Sequence, residues 1–516
     1  MRTLFLLLTL FALRAAEPLD DIFAPNAPVL NIEIDIPREG IRSLQEDHRK
    51  YVSATVREGN KVYKNVAVHL KGAAGSFRDI NSNPGLTLNF GKLDKSEPNQ
   101  RFHGLRKIHL NNSVQDRSFS THYICSRMFE DAGIPVARIT HARVRLNGRD
   151  LRLYVLAEGY TKEFLARYFK ETKGNLYDGG FLQEITENLE NDAGEDRDRG
   201  DLNALVSACR QPDRTQRWEA LEKVLDVDRF LTFMALEVLV WDWDGYPLKH
   251  NNYRIYHDPA TDKMVFMPHG MDQMFWEANG PVFFPHFGGM VARAIMETPQ
   301  GAKLYRERVK KVFNEVYRLD VVTSRFDTLA KRNRQAGAEY GGRWLDSYDA
   351  NVSDTRRRIV ARWNGIKEQI DNEPKPLDFS KPVIVGNWRQ QKETENVLLE
   401  QSPFEGRSTL HLAGNGHSVG SWRSRLYLEP GRYRFEALAR SSKLAPIREP
   451  DKQGAGIRVS GGSRRNKLEG DTGWTKLQYE FDVQGGPANV VLVCEIRATR
   501  GDVWFDANSL KLELLK

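Results

Sequence analysis

The chain has few of the features that staple, anchor or specialise a protein. It carries only three cysteines in 516 residues, Cys125, Cys209 and Cys494. At most one disulfide could form, so the fold cannot depend on a cystine framework. Cys125 and Cys494 sit in largely apolar runs and read as buried small hydrophobes. No Cys/His spacing suits zinc. Beyond the N-terminus no run approaches the roughly 18 apolar residues of a membrane helix, which excludes a multi-pass membrane chain. Charge of one sign is also scarce: 76 Lys+Arg against 69 Asp+Glu leave +7, interspersed along the chain. With no zinc finger, no aromatic RNP motif and no basic helical arm, no nucleic-acid partner is expected. Walker A, HExxH and GxGxxG motifs are all missing.

What is present is ordinary globular material, 40% hydrophobic and 28% charged. At about 150 residues per domain the length suggests two to four domains. Residues 1–16, MRTLFLLLTLFALRAA, have the charged start, apolar middle and small-residue end of a secretory signal, with cleavage near Ala15 or Ala16. The apolar run is too short to span a bilayer, so a secreted, periplasmic or cell-envelope protein without a transmembrane anchor is expected.

Period-two alternation predicts strands over 29–37, 51–56, 62–70, 86–90 and 107–110. A helix follows at 118–132, with Ser118 or Ser120 as N-cap and Gly133 as its stop. Strands at 138–146 and 151–157 are joined by Asn147-Gly148, a hairpin dipeptide. Helices are expected at 161–170, 214–224, 227–240, 289–298 and over most of 303–370. The acidic stretch 183–201 reads as a solvated loop. Strands are expected at 253–256 and 264–267. A Pro-rich boundary near 372–382 introduces short strands with Gly-rich turns, the pattern of a β-sandwich over 378–516.

Chemistry-bearing residues concentrate at 241–275. Trp241-Asp242-Trp243-Asp244-Gly245 follows an apolar helix, then come His250-Asn251-Asn252-Tyr253 and Pro268-His269-Gly270-Met271-Asp272. Carboxylate and amide oxygens are hard ligands suited to Mg²⁺ or Mn²⁺ with phosphate oxygens. The order helix, Asp, Asn, strand, strand, Asp suggests phosphoryl transfer. The plainer reading is turn formation and capping, common work for Asp-Gly and Asn-Asn. A GxSxG match at Gly416–Gly420 would make Ser418 an esterase nucleophile, but a strand rather than a helix follows it, so a turn is expected. His103, His109 and His141 read as structural, and Arg356–Arg358 as a solvated helix face.

An ordered set of pieces then resembles the CotH kinase-like family, named for a spore coat protein and related to secreted atypical kinases. The pieces include Leu70-Lys71-Gly72, Ile108–Asn112, Gly133–Arg138, Leu153–Glu158, Gly174–Tyr177, Asp226–Phe230, Trp243–Tyr246, Asn252-Tyr253 and Pro268–Asp272. The resemblance spans about 28–370. It implies a two-lobed kinase-like fold over 17–372 that binds ATP and a divalent metal. By that resemblance Asp244 is the catalytic base. Asn252, with Asn251 as the neighbouring alternative, and Asp272 hold metal. Glu158 orients a phosphate-binding cation, Lys71 or alternatively Arg78. The chain departs from the family pattern at Gly270, where many relatives have a second Asp.

The C-terminal part resembles carbohydrate-binding, galactose-binding-like jelly rolls through Tyr433–Leu438, Trp474 and Gly501–Asp506. That resemblance implies aromatics stacking on sugars and, in some members, a Ca²⁺ site in the loops. Trp388, Trp422 and Trp474 are candidates for platforms or for core. The fold class expected is α+β, an atypical two-lobed kinase-like domain followed by an all-β jelly-roll sandwich. The function expected is an exported protein kinase acting on an unidentified protein substrate and localised to a glycan or envelope surface. The alternative is a non-catalytic envelope protein with a degenerate kinase-like scaffold.

Overall fold

The structure is a computed structural model describing residues 21–93, 96–194, 198–373, 377–447, 454–484 and 488–515. The expected signal at 1–16 lies outside the described residues, as do 374–376 of the expected boundary. Helices and strands are mixed, and the C-terminal part is all but purely β. Among the described residues no helix is long and apolar enough to cross a membrane.

The chain divides into two compact units. The first holds residues up to Ala204, Val224–Asn279 and Lys311–Asn364; the second holds Leu205–Lys223, Gly280–Lys310 and Gly365 onward.

The first unit begins with β1 Leu30–Asp35, α1 Arg38–Glu46, β2 Val52–Glu58, β3 Lys61–Lys71, β4 Gly85–Asn89, β5 Lys107–Asn111, α2 Thr121–Asp131, β6 Ile139–Leu146 and β7 Arg149–Glu158. The strands close into a barrel in the order β1-β2-β3-β4-β5-β7-β6, β1 pairing parallel with β6. Closure removes exposed edges. Each strand turns its branched residues inward, β1 burying Leu30, Ile32 and Ile34. Asn147 and Gly148 both take left-handed φ, +48° and +78°, the turn that suits the strand twist. The α2 start differs from expectation. Ser120 is the N-cap residue, but its hydroxyl donates to Ser118 O. The buried Asp116 carboxylate does the capping, accepting from the Ser118, Ser120 and Thr121 amides at 2.8–3.0 Å.

After α3 Lys162–Tyr168 come β8 Leu176–Asp178, β9 Glu190–Ala193, α4 Gly200–Cys209, α5 Arg214–Val224, α6 Val227–Leu239, α7 Tyr246–Lys249, β10 Tyr253–Asp258 and β11 Lys263–Pro268. The strands form a sheet in the order β11-β10-β8-β9. The acidic stretch is thus not wholly loop: β9 lies in it and pairs with β8. In α6, Phe230 through Leu239 are all buried. Arg362, itself fully buried, donates to the Val238 and Leu239 carbonyls at 2.8 and 3.0 Å and satisfies the helix end.

Further on lie α8 Met290–Met296, α9 Pro299–Glu315, α10 Leu319–Ala336 and α11 Gly342–Asp371. The β part of the second unit has β12 Val383–Ile384, β13 Arg389–Lys392, β14 Val397–Phe404, β15 Arg407–Leu428, β16 Gly431–Pro446, β17 Gly454–Val459, β18 Gly470–Val483, β19 Ala488–Asp506 and β20 Lys511–Leu515. Long strands serve two partners in succession: β15 pairs with β14 and then β13, and β19 with β17 and then β16. The turn expected around Ser418 is an irregularity inside β15, between Asn415 and Ser418. Ser418 is fully buried, its hydroxyl donating to Asn396 O, so no nucleophile is presented. Trp422 belongs to the apolar core and Trp388 packs against it. Trp474 is half-buried, its ring covered by Arg407 at 5.0 Å and its N–H given to Glu405. Cys125, Cys209 and Cys494 are all buried thiols.

Candidate active site

A cleft of about 1040 Å³ opens within the first unit, lined by the ends of β3, β7, β8 and β11 and the segments after α6 and β11. Six of the seven candidate residues line it: Lys71, Glu158, Asp244, Asn251, Asn252 and Asp272. Arg78 does not. Its guanidinium donates to the nearby carbonyls of Gly75 and Phe77 at 3.1 and 2.6 Å.

Asp244 sits in a tight turn after α6, where the Gly245 amide donates to Asp242 O at 3.0 Å. Its Oδ2 accepts from Asn251 Nδ2 at 3.0 Å and Asn252 Nδ2 at 3.2 Å. Burial raises the Asp244 carboxyl, and the Asn251 amide works against that rise. A carboxylate so raised and oriented by two amides is suited to taking a hydroxyl proton. The two asparagines are not equivalent. Asn251 is buried with both amide ends engaged, its Oδ1 accepting from the Leu182 amide at 3.0 Å. Asn252 has φ +52°, and among the described residues no partner takes its Oδ1.

The Asn252 oxygen faces Gly270. A Cβ at Gly270 would lie 2.5 Å from Asn252 Oδ1, and φ there is +67°. Glycine at this departure from the family pattern is therefore what the local backbone accommodates. Two residues on, Asp272 is half-buried in the cleft wall. Burial and the Asp116 charge push its carboxyl up to about 7, while Lys71 pulls the other way. Burial in turn brings the Lys71 ammonium down to about 8, opposed by Asp272.

The pairing of Lys71 with Glu158 is not formed. Lys71 Nζ donates to Asn111 Oδ1 at 2.6 Å. Glu158, 2% exposed, is taken by Arg138 at 3.0 and 3.1 Å and by Arg167 at 2.6 Å. A two-arginine clamp holds it at the end of β7.

Sequence reasoning missed several groups here. Arg254 on β10 is buried in the cleft and ion-paired with Asp178. Burial works against the Asp178 charge, but Arg254 holds that carboxyl below its usual range. His109 and His269 are kept neutral first by burial, then by nearby cations, Lys71 and Arg254 respectively. Beneath the Asp244 turn, Glu237 and Asp242 are buried together; burial pushes both carboxyls up, helped by the Asp242 charge at Glu237 and by Asp244 and Asp272 at Asp242, where the hydrogen bond with Glu237 works the other way. A Cβ at Gly245 would meet Glu237 Oε2 at 1.9 Å, so this pair closes against the turn. The one available signal was a lone Glu on an otherwise apolar helix.

Asp272, half-buried near Asp116 and pushed toward neutrality, and the unpartnered Asn252 oxygen suit a hard divalent cation, which would reverse that shift. Among the described residues no group of three or more His, Cys, Asp or Glu forms a self-contained cage. Phosphate oxygens and water would have to complete the shell.

Comparison with known proteins bears on the family. A family model described as CotH kinase protein matches residues 69–372. Inner spore coat protein H of Bacillus subtilis (strain 168) is 21% identical over 260 residues, covering 45% of this chain and 69% of that protein. Invasin CotH3 of Rhizopus delemar is 31% identical over 122 residues, 22% of this chain and 20% of the invasin. Among solved structures, the Helicobacter pylori proinflammatory kinase CtkA aligns with 55% of this chain and 98% of its own, at 11% identity and a TM-score of 0.26. TmCBM61, solved with beta-1,4-galactotriose, aligns with 27% of this chain and 91% of its own, at 17% identity and a TM-score of 0.19. At such scores the structural likenesses carry no argument. The family match covers more than half of the chain and includes every cleft residue named above from Lys71 to Asp272, and the chain therefore belongs to the CotH kinase protein family.

Proposed function

We propose that the chain is an exported protein kinase that transfers phosphate from ATP to a protein hydroxyl, using the two-lobed domain over 17–372. Asp244 takes the proton of the acceptor hydroxyl. Asn251 acts as a positioning residue for Asp244, because both ends of its amide are already engaged. Asn252 and Asp272 hold Mg²⁺ or Mn²⁺, which would supply charge neutralisation for the phosphates. Lys71, with Arg254 behind it, offers positive charge to the same phosphates, and Glu158 braces that wall of the cleft through Arg138 and Arg167. Positioning and charge stabilisation are most of what phosphoryl transfer requires. The observation that carries the reading is the gathering of Asp244, Asn252 and Asp272 along one cleft with the half-buried Lys71.

The β part over 378–516, taken as a jelly-roll module, would tether the kinase to a glycan or envelope surface. The names of two relatives, a spore coat protein and an invasin, support a place at or beyond the envelope. The test is phosphate transfer from labelled ATP by the purified chain with Mg²⁺ or Mn²⁺. Asp244→Ala should lose at least about a hundredfold in rate while retaining metal-dependent ATP binding. Well-folded wild type that transfers nothing to itself or to generic acceptors, and binds no ATP, would refute the reading. Gly270 favours the second reading, a non-catalytic scaffold, and ATP binding without transfer to any acceptor would support it.

A further inference from the structure

On the side of its strands opposite the apolar core, the β part of the second unit gathers arginines that run from the buried Arg458 and Arg497 to the half-buried Arg423 and the exposed Arg389. Strand register places these residues in rows. Arg389 of β13 lies directly opposite Arg423 of β15, which faces Val493 of β19, which faces Arg458 of β17. The next row runs Gln391, Ser421, Glu495, Gly456. Arg497 stands one step further along β19, on the same side as Glu495.

The charges do not balance. Glu495 is buried and saturated: Arg458 grips it with two bonds at 2.8 and 2.9 Å, and Arg464 adds one at 2.8 Å. Glu393 is the other carboxylate, and it spreads its two oxygens between Arg423 and Arg497, each at 3.3 Å. Arg389, exposed on the edge strand, has no hydrogen bond or ion pair among the described residues. Four strand-borne guanidiniums thus meet two carboxylates. Arg389 and Arg423 stand as like charges directly opposite each other, which is destabilising unless something anionic lies between them. Arg458 and Arg497 have side chains only 6% and 11% exposed, so this is a built site and not a scatter of surface charge.

We propose that this face binds an acidic polysaccharide, with sugar carboxylates received by Arg389 and Arg423, while Arg497, held by Glu393 and Glu495, supports them from below. The inference rests on the reading that the β part binds glycan and deepens it. Guanidinium forks match carboxylates in two-bond geometry, as Arg458 already does with Glu495. Gln391, exposed in the adjoining row, offers its amide to sugar hydroxyls, while the buried Ser421 hydroxyl accepts from Arg423 Nε at 2.9 Å and helps to hold that guanidinium. Guanidiniums on neighbouring strands, Arg389 on β13 and Arg423 on β15, suit a polymer with more than one charge better than a single small ion. No aromatic occupies these rows, so the face lacks the stacking platform that single-stranded nucleic acid uses.

The test is retardation of the full chain in native gels containing polygalacturonate, neutral β-1,4-galactan or polyphosphate. Retardation by polygalacturonate should exceed that by galactan and weaken with salt. Arg389→Ala and Arg423→Ala should each weaken it by about tenfold. Arg423→Lys should fail to restore it fully, because it keeps the charge and loses the fork. Lys511→Ala, an exposed cation elsewhere, should change nothing, and melting curves check each fold. Galactan binding indifferent to the arginine variants would overturn this inference and leave the glycan reading standing. Equal loss toward polyphosphate would mark a general polyanion patch and overturn it as well. No retardation in any gel by folded wild type would overturn both.

Discussion

Two carboxylates in this molecule are treated in opposite ways. Glu495 of the β part is surrounded by Arg458, Arg464 and Arg497, which overcome its burial and hold it charged. Asp272 of the cleft is half-buried: desolvation and the nearby Asp116 and Asp244 outweigh the pull of Lys71, and its carboxyl rises to about 7. The first is neutralised from within the chain and serves structure. The second is left short of positive charge, the condition in which a cation from outside gains most.

That contrast can be broken or sharpened by substitution. The largest effect is expected at Glu495→Gln, which removes the buried charge that Arg458 grips with two bonds. It should cost about 3–5 kcal/mol of stability by chemical denaturation, with little change in ATP binding. Asp272→Asn should do the reverse. Its folded carboxyl titrates near 7, above the ordinary 3.8. The native state therefore binds the extra proton between those values, and the stability this group lends is present at low pH and lost as pH rises toward 7. Without metal, Asp272→Asn should be more stable than wild type at pH 8 by on the order of 2 kcal/mol, and the gain should fade by pH 5. A melting temperature that shows no pH-dependent gap between the two would contradict this electrostatic account. Gly270→Asp, which installs the second Asp implied by the resemblance, should cost about 1–3 kcal/mol, since φ is +67° and Asn252 is in the way. If it proves neutral and raises activity, the departure is a loss and not an accommodation. The smallest effect belongs to Asn251→Ala. It removes a hydrogen bond to Asp244 and one from Leu182, costing about 1 kcal/mol. It should also move the acid limb of the transfer pH profile upward, because the Asn251 amide is what opposes the rise of Asp244.

How much was legible in the sequence depended on whether the cause was local. The barrel strands announce themselves by alternation, as in β1, and Asn147-Gly148 announces its hairpin. Over 378–516 the composition predicts short strands with Gly-rich turns, yet glycines such as Gly414, Gly416, Gly420 and Gly501 sit within the long strands β15 and β19. Those strands carry irregularities and change partner midway. β9 was read as loop because its residues are acidic and exposed, and pairing with β8 supplies what its composition does not. In the cleft, Asp244, Asn252 and Asp272 could be named because they follow recognisable pieces. The Arg138–Glu158–Arg167 clamp, the Arg254–Asp178 pair and the capping of α2 by Asp116 could not. Each joins residues whose meeting is decided by folding, with no spacing signature of its own.

The measurement that bears most directly on the account is calorimetric titration of ATP into the full chain with Mg²⁺ and then with EDTA, for wild type and Asp272→Ala at pH 8. The account predicts binding by wild type that requires the metal and is weakened at least about tenfold in the variant, with both proteins folded. Binding equal in all four titrations, or absent from folded wild type with metal, would contradict it.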